Sequence, residues 1–188
     1  MLPDEMALPR RTLALAQQTH TQAGLDEARF RALYDATAAR LRGYLRRVAG
    51  NPALADDILQ ETYLRLLRAH PGHGVETENA AYVFKIATNL LYDHWRRQRR
   101  ERRLFGLWPA AAPRGDANLA HDMGRWLLEL KPQERALLGL AHVEGWSHLE
   151  IAGILELRPG SVRVLLFRAR ARLVRVLARA GVGSEALR

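Results

Sequence analysis

A chain of 188 residues holds one ordinary domain or two small ones, which excludes large multidomain machinery. Apolar residues at 48% and charged residues at 26% give a globular balance, and the lack of any cysteine removes disulfides, thiolate nucleophiles and cysteine-ligated zinc. The 29 basic residues against 20 acidic ones leave a net charge of +9, which favours a polyanionic partner. No run approaches the ~18 apolar residues of a membrane span, and Met1 to Gly24 lacks the apolar run and cleavage site of a signal peptide. A cytoplasmic protein without membrane insertion is expected.

The first 24 residues carry little pattern and read as an N-terminal extension. From Asp26 to Ala49, Phe30, Leu33, Tyr34, Leu41, Leu45 and Val48 recur at helical steps, and Gly50-Asn51-Pro52 ends that helix. A second helix from Pro52 to Ala69 gathers Ala55, Ile58, Leu59, Thr62, Leu66 and Ala69 on one face. Asp57, Gln60, Glu61 and Leu64 lie on another. The loop at His70-Pro71-Gly72-His73-Gly74 leads to a third helix, Asn79 to Arg103, which buries Val83, Ile86, Ala87 and Leu90. Its other stripe is Tyr82, Lys85, Asn89, Tyr92 and Arg96. Residues 104–118, with two prolines, two glycines and an alanine run, form a linker. The chain therefore divides into an extension at 1–24, a module at 25–103, the linker and a second module at 119–188.

Beyond the linker, Leu119 to Leu130 and Pro132 to Val143 read as two helices, followed by a turn at Glu144-Gly145-Trp146. Ser147 and Glu150 fit a capping box that starts a short helix with Ile151, Ala152 and Leu155 inward. Leu157-Arg158-Pro159-Gly160 breaks it, and Ser161 is expected to cap a long helix with Val162, Leu166, Ala169, Leu173 and Val176 as its apolar stripe. Helix, tight turn and arginine-flanked helix describe a helix-turn-helix. No strand candidate appears, so the fold class is all-α, in two small helical domains.

Charge placement sharpens this. Arginine supplies 27 of the 29 basic residues, with Lys85 and Lys131 the remainder. Six arginines fall between Trp95 and Arg103, and seven between Leu157 and Gly183, where no acidic residue stands. A merely solvated face mixes signs, whereas arginine in a groove forks onto guanine and arginine on the flanks neutralises phosphates.

Asp57-Ile58-Leu59-Gln60-Glu61-Thr62-Tyr63, then Tyr82-Val83-Phe84-Lys85-Ile86-Ala87-Thr88-Asn89, then Phe167-Arg168-Ala169-Arg170 resemble a bacterial RNA polymerase sigma factor. The likeness is to the extracytoplasmic-function group, which keeps only regions 2 and 4. It implies that 25–103 is region 2 and 119–188 is region 4. Asp57, Gln60, Glu61 and Thr62 would then dock on core RNA polymerase. Tyr82, Lys85, Asn89, Tyr92 and Arg96 would melt and read the −10 element of promoter DNA, a task that suits aromatic platforms beside a basic track and a polar group. Ser161, Arg163, Val164, Phe167 and Arg168 would read the −35 element. An anti-sigma factor is a further partner that the resemblance implies.

The sequence departs from that family at several points. Tyr82 stands where tryptophan is common. Glu156 stands where glycine is usual, so a left-handed backbone there would be strained. Val164-Leu165 replaces a Ser-Arg pair, and Val164 suits a thymine methyl. Two rival readings are a helix-turn-helix regulator that binds DNA without polymerase, and a metal-dependent nuclease using His70, His73, Glu76 and His94. The spacing of those four follows no zinc pattern, and no nucleophile elbow, phosphate-binding glycine loop or paired catalytic carboxylates occur. No cofactor, metal site or catalysis is expected.

Overall fold

A computed structural model describes residues 27–68, 80–104 and 119–182. Among them are seven α-helices: α1 (Glu27–Ala49), α2 (Pro52–Arg68), α3 (Ala80–Leu104), α4 (Leu119–Leu128), α5 (Pro132–Leu138), α6 (His148–Ile154) and α7 (Pro159–Arg179). A single wide turn, Gly139–Val143, continues α5 with π-helical geometry. Except for Leu104, the linker lies outside the described residues, as does the extension.

The helix ends follow from their local chemistry. Gly50 closes α1 in the left-handed region at φ +70°. The Asn51 side-chain oxygen then accepts from the amides of Ala53 at 3.0 Å and Leu54 at 3.4 Å, while Pro52 occupies the first position of α2, where its missing N–H is no loss. At α6 the capping box forms in full. The Glu150 amide donates to the Ser147 hydroxyl at 3.3 Å, and the Ser147 amide donates to the Glu150 carboxylate at 2.8 Å.

One local expectation changes and another is met. Pro159 starts α7 instead of preceding its cap, because the fixed proline φ suits a first helical turn. Arg158 is therefore the residue before the helix. Ser161 lies inside the first turn, where its hydroxyl donates to the Arg158 carbonyl at 2.7 Å. Glu156 does adopt the left-handed conformation at φ 53°, and the Leu157 amide reaches back to the Ala152 carbonyl at 2.8 Å. For a residue with a Cβ that conformation costs about 1 kcal/mol.

α1, α2 and α3 enclose Leu41, Tyr44, Leu45, Ile58, Leu66, Val83, Phe84 and Leu91. Two hydroxyl pairs satisfy polar atoms inside, Thr37 with Tyr63 at 2.8 Å and Tyr44 with Thr88 at 3.1 Å. α4 to α7 enclose Leu137, Leu140, Ile151, Ile154, Val162, Leu166 and Val176. The two cores are continuous. Gly139 backs so closely on α1 that an added Cβ would stand 3.3 Å from the Tyr44 ring and 3.5 Å from Val48. Phe84 of α3 meets Trp146 edge to face at 5.5 Å, and α6 packs across α3.

Candidate nucleic-acid and protein interfaces

On α2 the 3.6-residue period turns Asp57 and Gln60 to solvent, with Glu61 partly covered beside them. The Glu61 carboxylate accepts from Arg65 Nε at 2.8 Å one turn along. Asp56 is taken up by the fold instead, since Arg42 at 2.9 Å and Arg46 at 3.7 Å hold its carboxyl below the usual carboxylate range. Thr62 does not belong to the outer face. It is fully buried, and its hydroxyl donates to the Ile58 carbonyl at 2.6 Å, so it supports the helix from within. Tyr34, Leu59, Gln60, Leu64 and Leu67 line a shallow apolar groove next to the acidic residues.

The α3 stripe is less uniform than its spacing implies. Tyr82 is half-buried against the core, and Asn89 is half-buried with no side-chain hydrogen bond among the described residues. Lys85 Nζ lies 3.2 Å from the Glu156 carboxylate of the helix-turn-helix. Tyr92 turns inward: its ring sits 5.7 Å from Trp95, its hydroxyl is buried without a partner, and burial pushes its phenol well above the ordinary value. Like Tyr82 it is partly buried against the core, with its hydroxyl turned inward. Arg96 is exposed and pairs with Asp93 one turn back, which holds the Asp93 carboxyl low. Of the candidate metal ligands only His94 is described, and no cluster of three ligating side chains occurs among the described residues.

α7 sorts its arginines by position. Arg163 and Arg168 are exposed and make no ion pair among the described residues. Arg170 instead donates to His142 Nε2 at 3.0 Å, Arg172 lies 3.7 Å from Glu134, and Arg179 lies 3.3 Å from Glu129. Beside the free pair, Val164 is 49% exposed and Phe167 is 70% exposed, one helical turn apart. An aromatic ring left so open between two unpaired guanidinium groups is a contact surface in waiting. No described helix is long and apolar enough to cross a membrane.

The junction between the modules holds residues that sequence reading missed. The Glu144 side chain is 4% exposed and is held by Arg47 at 2.8 Å and Arg40 at 3.3 Å, both on α1. The Arg40 guanidinium also lies 5.6 Å over the Trp146 ring and donates to the Glu144 carbonyl at 3.1 Å. Arg135, only 8% exposed, stacks over Trp95 at 5.4 Å. These contacts join residues about 40 to 100 positions apart, which no local periodicity signals.

Two helical modules, the second a helix-turn-helix whose last helix carries exposed arginines at its start, make an architecture suited to contact with a DNA duplex. Family models sharpen the class. Sigma-70 region 2 matches residues 33–101, and Sigma-70, region 4 matches residues 122–173. The RNA polymerase sigma factor CarQ of Myxococcus xanthus is 30% identical over 154 residues, covering 79% of this chain and 88% of its own. The ECF RNA polymerase sigma factor SigL of Mycobacterium tuberculosis is 33% identical over 157 residues, covering 78% and 88%. The chain belongs to the sigma-70 family of RNA polymerase sigma factors, in the extracytoplasmic-function group.

Solved structures share the fold. The sigma factor RpoE in complex with the anti-sigma factor NepR from Bartonella quintana superposes with a TM-score of 0.64 at 23% identity, covering 79% of this chain and 96% of that one. CnrH in complex with the cytosolic domain of CnrY gives 0.61 at 21% identity, covering 89% and 96%.

Proposed function

We propose that this sigma factor carries core RNA polymerase to its promoters through three faces, and that an anti-sigma factor controls it. Asp57, Gln60 and Glu61 with the neighbouring groove dock on the polymerase. Tyr82, Lys85, Asn89 and Arg96 engage the melted −10 strand. Arg163, Val164, Phe167 and Arg168 read the −35 duplex, with Ser161 at the start of the same face. Residues 25–103 act as region 2, 104–118 as the linker and 119–188 as region 4, with 1–24 as an extension. The protein works in the cytoplasm and carries out no catalysis itself.

The observation that carries this reading is the division of labour on α7. Arg170, Arg172 and Arg179, further along the helix, pair with His142, Glu134 and Glu129, whereas Arg163 and Arg168, nearest its start, make no ion pair among the described residues. Control by an anti-sigma factor is supported by the two solved neighbours, one held by NepR and the other by CnrY.

The docking face has its own test. Glu61→Lys should weaken binding to core polymerase at least tenfold in a titration, while the fold changes by only about 0.5 kcal/mol, as for other surface substitutions. Unchanged affinity would remove α2 from the interface. A regulator acting without polymerase is the reading that family membership does not favour.

A further inference from the structure

We infer that the outward face of α7 is a docking seam for an acidic amphipathic helix of a partner protein, and that this helix and the −35 duplex exclude one another. The seam rests on the exposed surface of α7 alone. Only the exclusion of DNA rests on the sigma reading above.

The inner stripe of α7 is spent on the core through Val162, Leu166, Ala169 and Val176. A second apolar stripe, Val164, Phe167, Ala171, Val174 and Ala178, runs along the nearly opposite side, and every one of these residues is exposed. Phe167 is 70% and Val174 52% open to solvent. Steps of three, four, three and four residues are the heptad spacing that keeps a narrow seam in line between two paired helices. Arginines border it on both sides. Arg163 and Arg170 stand along one edge and Arg168 and Arg175 along the other, each pair one heptad apart and all exposed. None of the four meets a carboxylate among the described residues. Arg163 and Arg168 make no ion pair, Arg170 donates to the His142 ring at 3.0 Å, and Arg175 donates to the Ala171 carbonyl of its own helix at 3.3 Å.

The charge selects the occupant. In paired helices the positions beside the seam face those of the partner and decide which partner is accepted. Four arginines there repel a second copy of the same face and call for carboxylates. Duplex DNA satisfies the arginines but not the seam, because a groove receives the start of the helix, and Ala171 already lies about 18 Å along the axis from Pro159 at 1.5 Å per residue. Ala171, Val174 and Ala178 are left unexplained by it. A membrane surface asks for a broad apolar band, whereas this stripe is narrow and two of its five residues are alanine. An acidic helix with apolar residues at the same spacing accounts for seam and border together. Lying along the stripe, it covers Arg163, Val164, Phe167 and Arg168, the residues proposed to read the −35 element.

The test uses the full chain and a labelled three-heptad peptide with leucine on its seam and glutamate beside it. Two controls are the same peptide with lysine for glutamate, and a scramble of equal composition that breaks the spacing. In fluorescence anisotropy the glutamate peptide should bind about tenfold more tightly than the scramble, and the lysine peptide should not bind. Val174→Gln should lower its affinity about tenfold, as expected when one valine is lost from a buried contact, and Val174→Leu should retain it. Binding of the Val174→Gln holoenzyme to the −35 sequence it selects should be unchanged, and a duplex of that sequence should displace the peptide from the wild-type chain. Vesicles of phosphatidylserine and phosphatidylcholine should show no Val174-dependent binding.

Equal binding of the scramble, or unchanged peptide affinity in Val174→Gln, would overturn the seam. Vesicle binding that Val174→Gln abolishes, with the peptide unbound, would overturn it in favour of a membrane surface. A peptide that the duplex does not displace would overturn the exclusion of DNA. A chain that gives no promoter-directed transcript with core polymerase would overturn the sigma reading and leave the peptide result standing.

Discussion

Arg163 and Arg168 differ from Arg175 in distance from the start of α7. Arg163 is in the first two turns and Arg168 is a little over one turn beyond it. Arg175 is roughly 24 Å along the axis at 1.5 Å per residue, past the end that enters a groove. Its Nε donates to the Ala171 carbonyl at 3.3 Å. Position is therefore expected to set role. Arg163→Ala or Arg168→Ala should weaken binding of the holoenzyme to its −35 sequence by about 1 to 3 kcal/mol at one base position. Arg175→Ala should weaken all sequences evenly and reduce the salt slope by about one unit at most. If Val164 meets a thymine methyl as proposed, replacing −35 thymines by deoxyuridine should cost affinity that Val164→Ser no longer loses. Binding to −35 variants across a salt series checks these together, and even losses from every arginine would mean that α7 only anchors.

At the scale of helices, periodicity carried most of the fold. The boundaries of α1, α2 and α3 fall within a residue or so of the apolar pattern, and the Ser147 to Glu150 box is formed as its spacing implies. What periodicity could not resolve is which of two neighbouring positions faces inward at the edge of a stripe. Periodicity did place Thr62 on the inward face, where the fold has it, and only the resemblance put it on the docking face; Tyr92 shares spacing with surface residues yet packs partly buried against the core, and Phe84 and Leu91 were absent from the expected interior stripe of α3. Ser161 was misplaced because a proline that ends one helix is also well suited to begin the next. The cap makes a pH test. Hydrogen bonds from the Ser147 hydroxyl and amide hold the Glu150 carboxyl below its ordinary value. Its stabilisation is thus complete above the ordinary glutamate range and is lost as pH falls through the depressed value. Ser147→Ala should cost about 1 kcal/mol at pH 7 in chemical denaturation. That difference should shrink below about pH 4, and a cost independent of pH would show that Glu150 does not take part.

At the scale of the molecule, little of the arrangement was legible. Composition and motif order identified two modules and a polyanionic partner, but the contact between modules comes from side chains far apart in sequence. Glu144, Trp146, Arg40 and Arg47 carry no mark of their role until the fold brings them together. The three proposed faces also become distinct only there. The α2 face is open, the α3 stripe is partly covered by the helix-turn-helix, and the start of α7 is free. Each face depends on the claim that the chain directs polymerase to promoters. Run-off transcription with purified core polymerase on a randomised promoter library measures that claim most directly. The expected result is transcripts that appear only with this protein and arise from templates enriched for two motifs about 25 base pairs apart, roughly 85 Å on the duplex. Transcripts that match core polymerase alone, or enrichment of a single duplex motif bound equally well without polymerase, would contradict it.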